Sequence, residues 1–132
     1  MADRDDIWLS NHLEVLLNHI GNYLLVCTKS KNINTFGINI EMKTNKKIID
    51  LNVDRNNLLY RLLLFDNCVQ SCTIMFDRSL IDDFIPIPEK VKYHDYWLVI
   101  ITAMYKKIYF INKITVLYRR RNLRSGCVKS YY

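Results

Sequence analysis

Three short stretches of this chain hold residue types that could act together on a phosphorylated substrate. Met1-Ala-Asp-Arg-Asp-Asp-Ile-Trp8 places Asp3, Asp5 and Asp6 within four positions. Carboxylates crowded this closely repel one another, and a hard cation relieves that repulsion. Mg²⁺ favours one or two carboxylates plus substrate phosphate oxygens over an all-protein cage, so a nucleoside-diphosphate site would suit the segment. Acids ahead of a helix are also stabilised by its dipole with no metal present, and the segment alone does not separate the two readings.

The second stretch is His94-Asp95-Tyr96-Trp97, which follows a proline-containing connection and opens an apolar run. Asp95 could serve as general base toward an acceptor hydroxyl. It could equally cap the helix that starts there, and a helix N-terminus favours the ionised carboxylate and so weakens it as a base. The third stretch is Tyr118-Arg119-Arg120-Arg121, whose guanidinium forks match phosphate oxygens or an anionic head group. A solvated strand end has the same composition. The chain carries no phosphate-binding glycine loop, nucleophile elbow or zinc signature.

These groups need a scaffold, and the pattern of the chain supplies one. Leu9, Leu13, Leu16, Leu17 and Ile20 recur at helical spacing with Gly21 behind them, which predicts a helix over residues 10–20. Residues 23–28 and 36–40 read as strands, and 43–47 as a loop. Asp54 is a suitable N-cap for a Leu-rich helix reaching Phe65. Residues 72–76 read as a buried strand with Asp77 capping a short helix, and Pro86 and Pro88 impose an extended connection. The spacing then predicts a buried helix over 96–105 and two strands, 108–111 and 114–118. Helices alternating with short strands indicate an α/β fold.

Composition bounds the class of protein. The chain has 132 residues, half of them apolar, which is enough for one domain with a core. We read residues 1–132 as a single unit, with 1–105 carrying the acids and the core, and 106–132 the closing strands and a basic tail. The longest largely apolar run, residues 97–105, falls short of the ~20 residues of a membrane-spanning helix, and the acidic start is unlike a signal sequence. The expected location is therefore cytoplasmic, with Cys27, Cys68, Cys72 and Cys127 as free thiols. Net charge is +6, but from Lys106 onward there are eight basic residues and no acid, leaving 11 basic against 13 acidic residues, a net −2, before that point. Such a tail suits a polyanion, whether a diphosphate, an anionic membrane surface or nucleic acid, and a solvated tail with no partner has the same composition.

Taken together and in order, the segments resemble the rhamnosyltransferase-like branch of family 2 glycosyltransferases. Ala2-Asp-Arg-Asp-Asp-Ile-Trp8 is similar to that branch's A-D-Q-D-D-I-W segment, and Cys72-Thr-Ile-Met-Phe-Asp77 to the segment before its acceptor site. His94-Asp95-Tyr96-Trp97-Leu98 resembles its H-D-W-W-L, while Lys107-Ile-Tyr-Phe-Ile111 and Val116-Leu-Tyr-Arg119 resemble its closing strands.

The resemblance implies inverting transfer of a sugar from a nucleotide-sugar donor to a hydroxyl of a glycan or lipid-linked acceptor. Asp3 and Asp5, with Asp6, would hold Mg²⁺ or Mn²⁺ on the donor diphosphate, and Arg119 and Arg121 would grip that diphosphate. Asp95 would be the base, with His94 and Trp97 shaping the acceptor pocket. Arg4 stands where the family has glutamine, Ser71 where it has glycine and Arg121 where it has histidine; an arginine can clamp phosphate but cannot ligate a metal.

The resemblance further implies a truncated A-type fold lacking the N-terminal nucleotide-binding βαβ half, inactive alone, with a separate chain supplying that half and with peripheral contact at the inner membrane. Two other classes of reading remain at this stage. One is a non-catalytic binding remnant. The other is a basic nucleic-acid-binding protein, against which the acidic start and the −2 body weigh.

Overall fold

A computed structural model describes residues 5–40, 59 and 69–120. The helix expected over 54–65 lies outside the described residues, apart from Leu59, as do Asp3 and Arg121. The elements are β1 (Ile7–Trp8), α1 (His12–Ile20), β2 (Leu25–Ile33), β3 (Ile74–Phe76), α2 (Ile81–Phe84), α3 (His94–Met104) and β4 (Ile108–Arg119). They form a mixed four-stranded sheet in the order β1-β4-β2-β3. β2 and β4 run parallel at its centre, and β1 and β3 pair antiparallel with them at the two edges.

The sheet has helices on both faces, and β2 shows why its sequence fits there. Leu25 and Cys27 point to one face, where they pack with Ile108, with Leu80 and Phe84 around α2, and with Leu98, Val99 and Ile101 of α3. Val26 points to the other, against Val15 and Leu16 of α1 and Ile111 of β4. A strand covered on both faces reads as a continuous apolar run, as Leu25-Val-Cys27 does.

β4 is one strand of 12 residues where the sequence pattern predicts two. Between the pairs Cys27↔Phe110 and Lys29↔Ile114, β4 advances four residues while β2 advances two; between Lys29↔Ile114 and Ser30↔Val116 it advances two against one. Extra residues of this kind bulge the strand and re-aim its side chains without ending the pairing. The polar pair Asn112-Lys113, which broke the apolar pattern, sits in the first irregularity, where Asn112 Oδ1 accepts from Lys29 Nζ. The 72–76 segment also divides: a 3₁₀ turn, Ser71–Thr73, leads into β3, and β3 is half-buried.

Helix α1 is rotated relative to the leucine pattern. His12, Val15 and Leu16 face the sheet, while Leu13 and Leu17 are 49 % and 60 % exposed. Gly21 ends the helix at φ +37°, a backbone angle that side-chain-bearing residues rarely adopt. Asp77 does cap the following 3₁₀ turn: its Oδ1 accepts from the Ser79 amide at 2.8 Å, which holds its carboxyl below the usual range. No helix among the described residues is long and apolar enough to cross a membrane.

Candidate functional site

The acidic segment, the end of β4 and the loop after β2 meet at one place. β1 pairs with β4 through Ile7↔Leu117 and Trp8↔Val116, so Asp5 and Asp6 arrive beside Arg119. β2 and β4 end together in the pair Ile33↔Arg119. The acids therefore lie at the carboxyl ends of the two parallel strands, the end at which open α/β sheets generally place ligands.

Arg119 ties these pieces together. Its amide donates to Asp6 Oδ1 at 3.1 Å, and its Nε donates to the Asp5 carbonyl at 3.1 Å. Its Nη1 donates to the carbonyls of Asn34 and Thr35 at 3.0 and 2.9 Å. The guanidinium expected to meet phosphate is thus engaged with backbone, bracing the acidic segment against the loop after β2. Arg120 Nε reaches Asn32 Oδ1 at 3.3 Å, and its guanidinium lies over the Tyr118 ring.

The chemistry of the donor set can be tested against a cation. Asp6 Oδ2 is buried and has no hydrogen-bond partner among the described residues, an acceptor whose desolvation nothing there compensates. Among the described residues no cluster of three or more His, Cys, Asp or Glu side chains is arranged to hold a metal. Asp6 Oδ2 could therefore contribute one oxygen to a Mg²⁺- or Mn²⁺-type ion that draws its other ligands from elsewhere, and the described residues form no closed protein cage around it.

His94, Asp95 and Trp97 form a second group on the first turn of α3. The N-cap position is Tyr93, which makes no side-chain cap hydrogen bond. Asp95 Oδ1 instead accepts from the adjacent Tyr96 amide at 2.8 Å, so the carboxylate satisfies one first-turn donor from inside the helix. His94 is exposed and Asp95 half-buried. Trp97 Nε1 is a buried donor with no hydrogen-bond partner among the described residues. α3 joins β4 through residues 105–107, with Lys106 at φ 55° in the turn.

One polar constellation was not anticipated from the sequence. His12, only 1 % exposed, makes a 2.7 Å hydrogen bond from Nδ1 to Thr115 Oγ1, and Thr115 donates to Thr28 Oγ1 at 2.6 Å. The chain links α1, β4 and β2. Burial lowers the His12 pKa below 6.5, opposed by the Cys72 backbone carbonyl, and the Trp8 ring lies 4.6 Å from the imidazole, centroid to centroid. The spacing of His12, Val15 and Leu16, three and four residues apart, was the available signal.

No protein-family model, curated protein or solved structure matches this chain.

Proposed function

We propose that this chain is the acceptor-side portion of an A-type, metal-dependent glycosyltransferase of family 2. Its chemistry is inverting transfer of a sugar from a nucleotide-sugar to a hydroxyl of a surface glycan or its lipid-linked precursor. The observation that carries the reading is the placement of Asp5 and Asp6 at the carboxyl ends of the parallel β2–β4 pair, held there by Arg119. The ordered resemblance of the acidic, His94-Asp95 and closing segments supports it.

In this reading Asp3, Asp5 and Asp6 face the donor diphosphate. Mg²⁺ or Mn²⁺ at these carboxylates would neutralise charge on the departing nucleoside diphosphate. Asp95 accepts the proton of the acceptor hydroxyl as that oxygen bonds to the anomeric carbon and the bond to the diphosphate breaks. His94 and Trp97, on the first turn of α3, shape the acceptor pocket. Arg119 acts mainly through the acidic segment it braces, and Arg121 would be the cation that clamps the diphosphate. The donor's base and ribose need a further nucleotide-binding unit, and without it the rate is low, because positioning supplies much of catalysis.

The test is calorimetry of Mn²⁺ with nucleoside diphosphates on the chain, on Asp3→Ala/Asp5→Ala and on Asp95→Asn. Metal-dependent binding that disappears in the double variant and survives in Asp95→Asn is the expected result, since the base acts on the acceptor. A folded wild-type chain that binds no metal–diphosphate complex would sink the reading.

A further inference from the structure

The loop after β2 closes as a tight, braced hairpin with an apolar tip. Ile33 bridges to Asn39, and the Asn34 amide donates to the Ile38 carbonyl at 2.9 Å. Asn34 Oδ1 accepts from the amides of Phe36 and Ile38, both at 2.9 Å, and Gly37 turns the chain at φ +81°. Arg119 fixes the carbonyls of Asn34 and Thr35 from below. This ordered turn carries Phe36 at 86 % exposure and Ile38 at 63 %, the first the most exposed large apolar side chain among the described residues.

We infer that this hairpin tip is a membrane-docking element, in which Phe36 and Ile38 enter the interfacial region of an anionic lipid bilayer. The Asn34 side chain and the Asn34 and Thr35 carbonyls are spent on holding the turn, so the tip offers apolar surface in place of the directed hydrogen bonds that a glycan needs. Among the described residues, the exposed charges at the hairpin's base are the cations Lys31 and Arg120. Lys31 lies on β2 just before it, and Arg120 is tied to it through its amide on the Ile33 carbonyl and its Nε on Asn32. The nearby acids among the described residues, Asp5 and Asp6, are half-buried against Arg119. Apolar tips flanked by basic side chains match the layering of a bilayer surface, acyl boundary below and anionic head groups above. The net charge of +6 adds long-range attraction to the same surface. The inference stands on this geometry and does not depend on the sugar-transfer reading.

The experiment is co-sedimentation of the full chain with vesicles of phosphatidylcholine alone and of phosphatidylcholine mixed with phosphatidylglycerol. The variants are Phe36→Ser/Ile38→Ser and Lys31→Gln/Arg120→Gln. Both apolar side chains already face solvent, so their replacement leaves the urea midpoint unchanged, which is measured alongside. The expected result is binding to the anionic vesicles that weakens roughly tenfold or more in the apolar variant, and that loses its preference for phosphatidylglycerol in the basic one. No binding by the wild-type chain overturns the inference. So does wild-type binding that the apolar variant retains, which would place the contact elsewhere, and so does equal binding to both kinds of vesicle. None of these outcomes alters the metal–diphosphate calorimetry, so the two readings fail separately.

Discussion

Arg119 Nε donates to the Asp5 carbonyl at 3.1 Å, joining the last residue of the longest strand to the segment that carries the acids. The same side chain holds two carbonyls of the hairpin, so one residue sets the position of the acidic segment relative to the hairpin tip.

Lysine at this position keeps the charge but has one compact ammonium in place of a planar fork, and cannot reach three carbonyls in two directions. Arg119→Lys is expected to destabilise the fold by about 1–3 kcal/mol, the range for partly buried backbone acceptors left without a charged donor. Arg120→Gln, on an exposed side chain, should cost less than about 0.5 kcal/mol. Urea denaturation of both checks this; equal midpoints would show that Arg119 braces nothing.

The sequence carried the α/β class because alternation of helix and strand depends on local apolar patterning, which residues 10–20, 23–28 and 96–105 show. Details set by strand pairing were not legible. Residues 108–111 and 114–118 look like two strands because the polar pair Asn112-Lys113 interrupts them, and only the pairing with β2 shows a bulge inside one strand. The site divides the same way. Asp5, Asp6, His94, Asp95 and Trp97 stand out by residue type. That Arg119 would turn toward backbone carbonyls depends on β1 and the hairpin lying on either side of it, which no local pattern encodes.

Thr115 shares its hydroxyl between His12 and Thr28 in a fully buried setting, so removing it leaves two polar groups unsatisfied. Thr115→Val is expected to cost about 2 kcal/mol or more. Adding Thr28→Val removes one of the stranded groups along with its partner, so the double variant should lose less than the sum of the single losses. Strict additivity in a denaturation cycle would argue that the two hydroxyls are not coupled.

Burial lowers the His12 pKa in the folded chain below its ordinary 6.5. Below that pH the unfolded chain binds a proton that the folded chain resists, so stability is complete above pH 6.5 and declines as pH falls through the folded-state value. The urea midpoint should therefore drop between about pH 7 and pH 5, above the range where most carboxylates titrate. In His12→Gln that slope should flatten, whatever the variant's absolute stability. A slope unchanged by the substitution would assign the effect to other groups.

The rotation of α1 makes the last prediction, because adjacent leucines should respond very differently to truncation. Leu16 is 1 % exposed and packs with Val26 and Ile111, whereas Leu17 is 60 % exposed on the outer face. Leu16→Ala creates a cavity under the helix and should cost about 2–5 kcal/mol. Leu17→Ala removes side chain that is already largely in water and replaces leucine with a better helix former, so its effect should stay within about 0.5 kcal/mol. Comparable losses for the two would mean that α1 sits on the sheet in the register of the leucine pattern, with His12 turned away from Thr115, and the buried polar chain would then have to be abandoned as well.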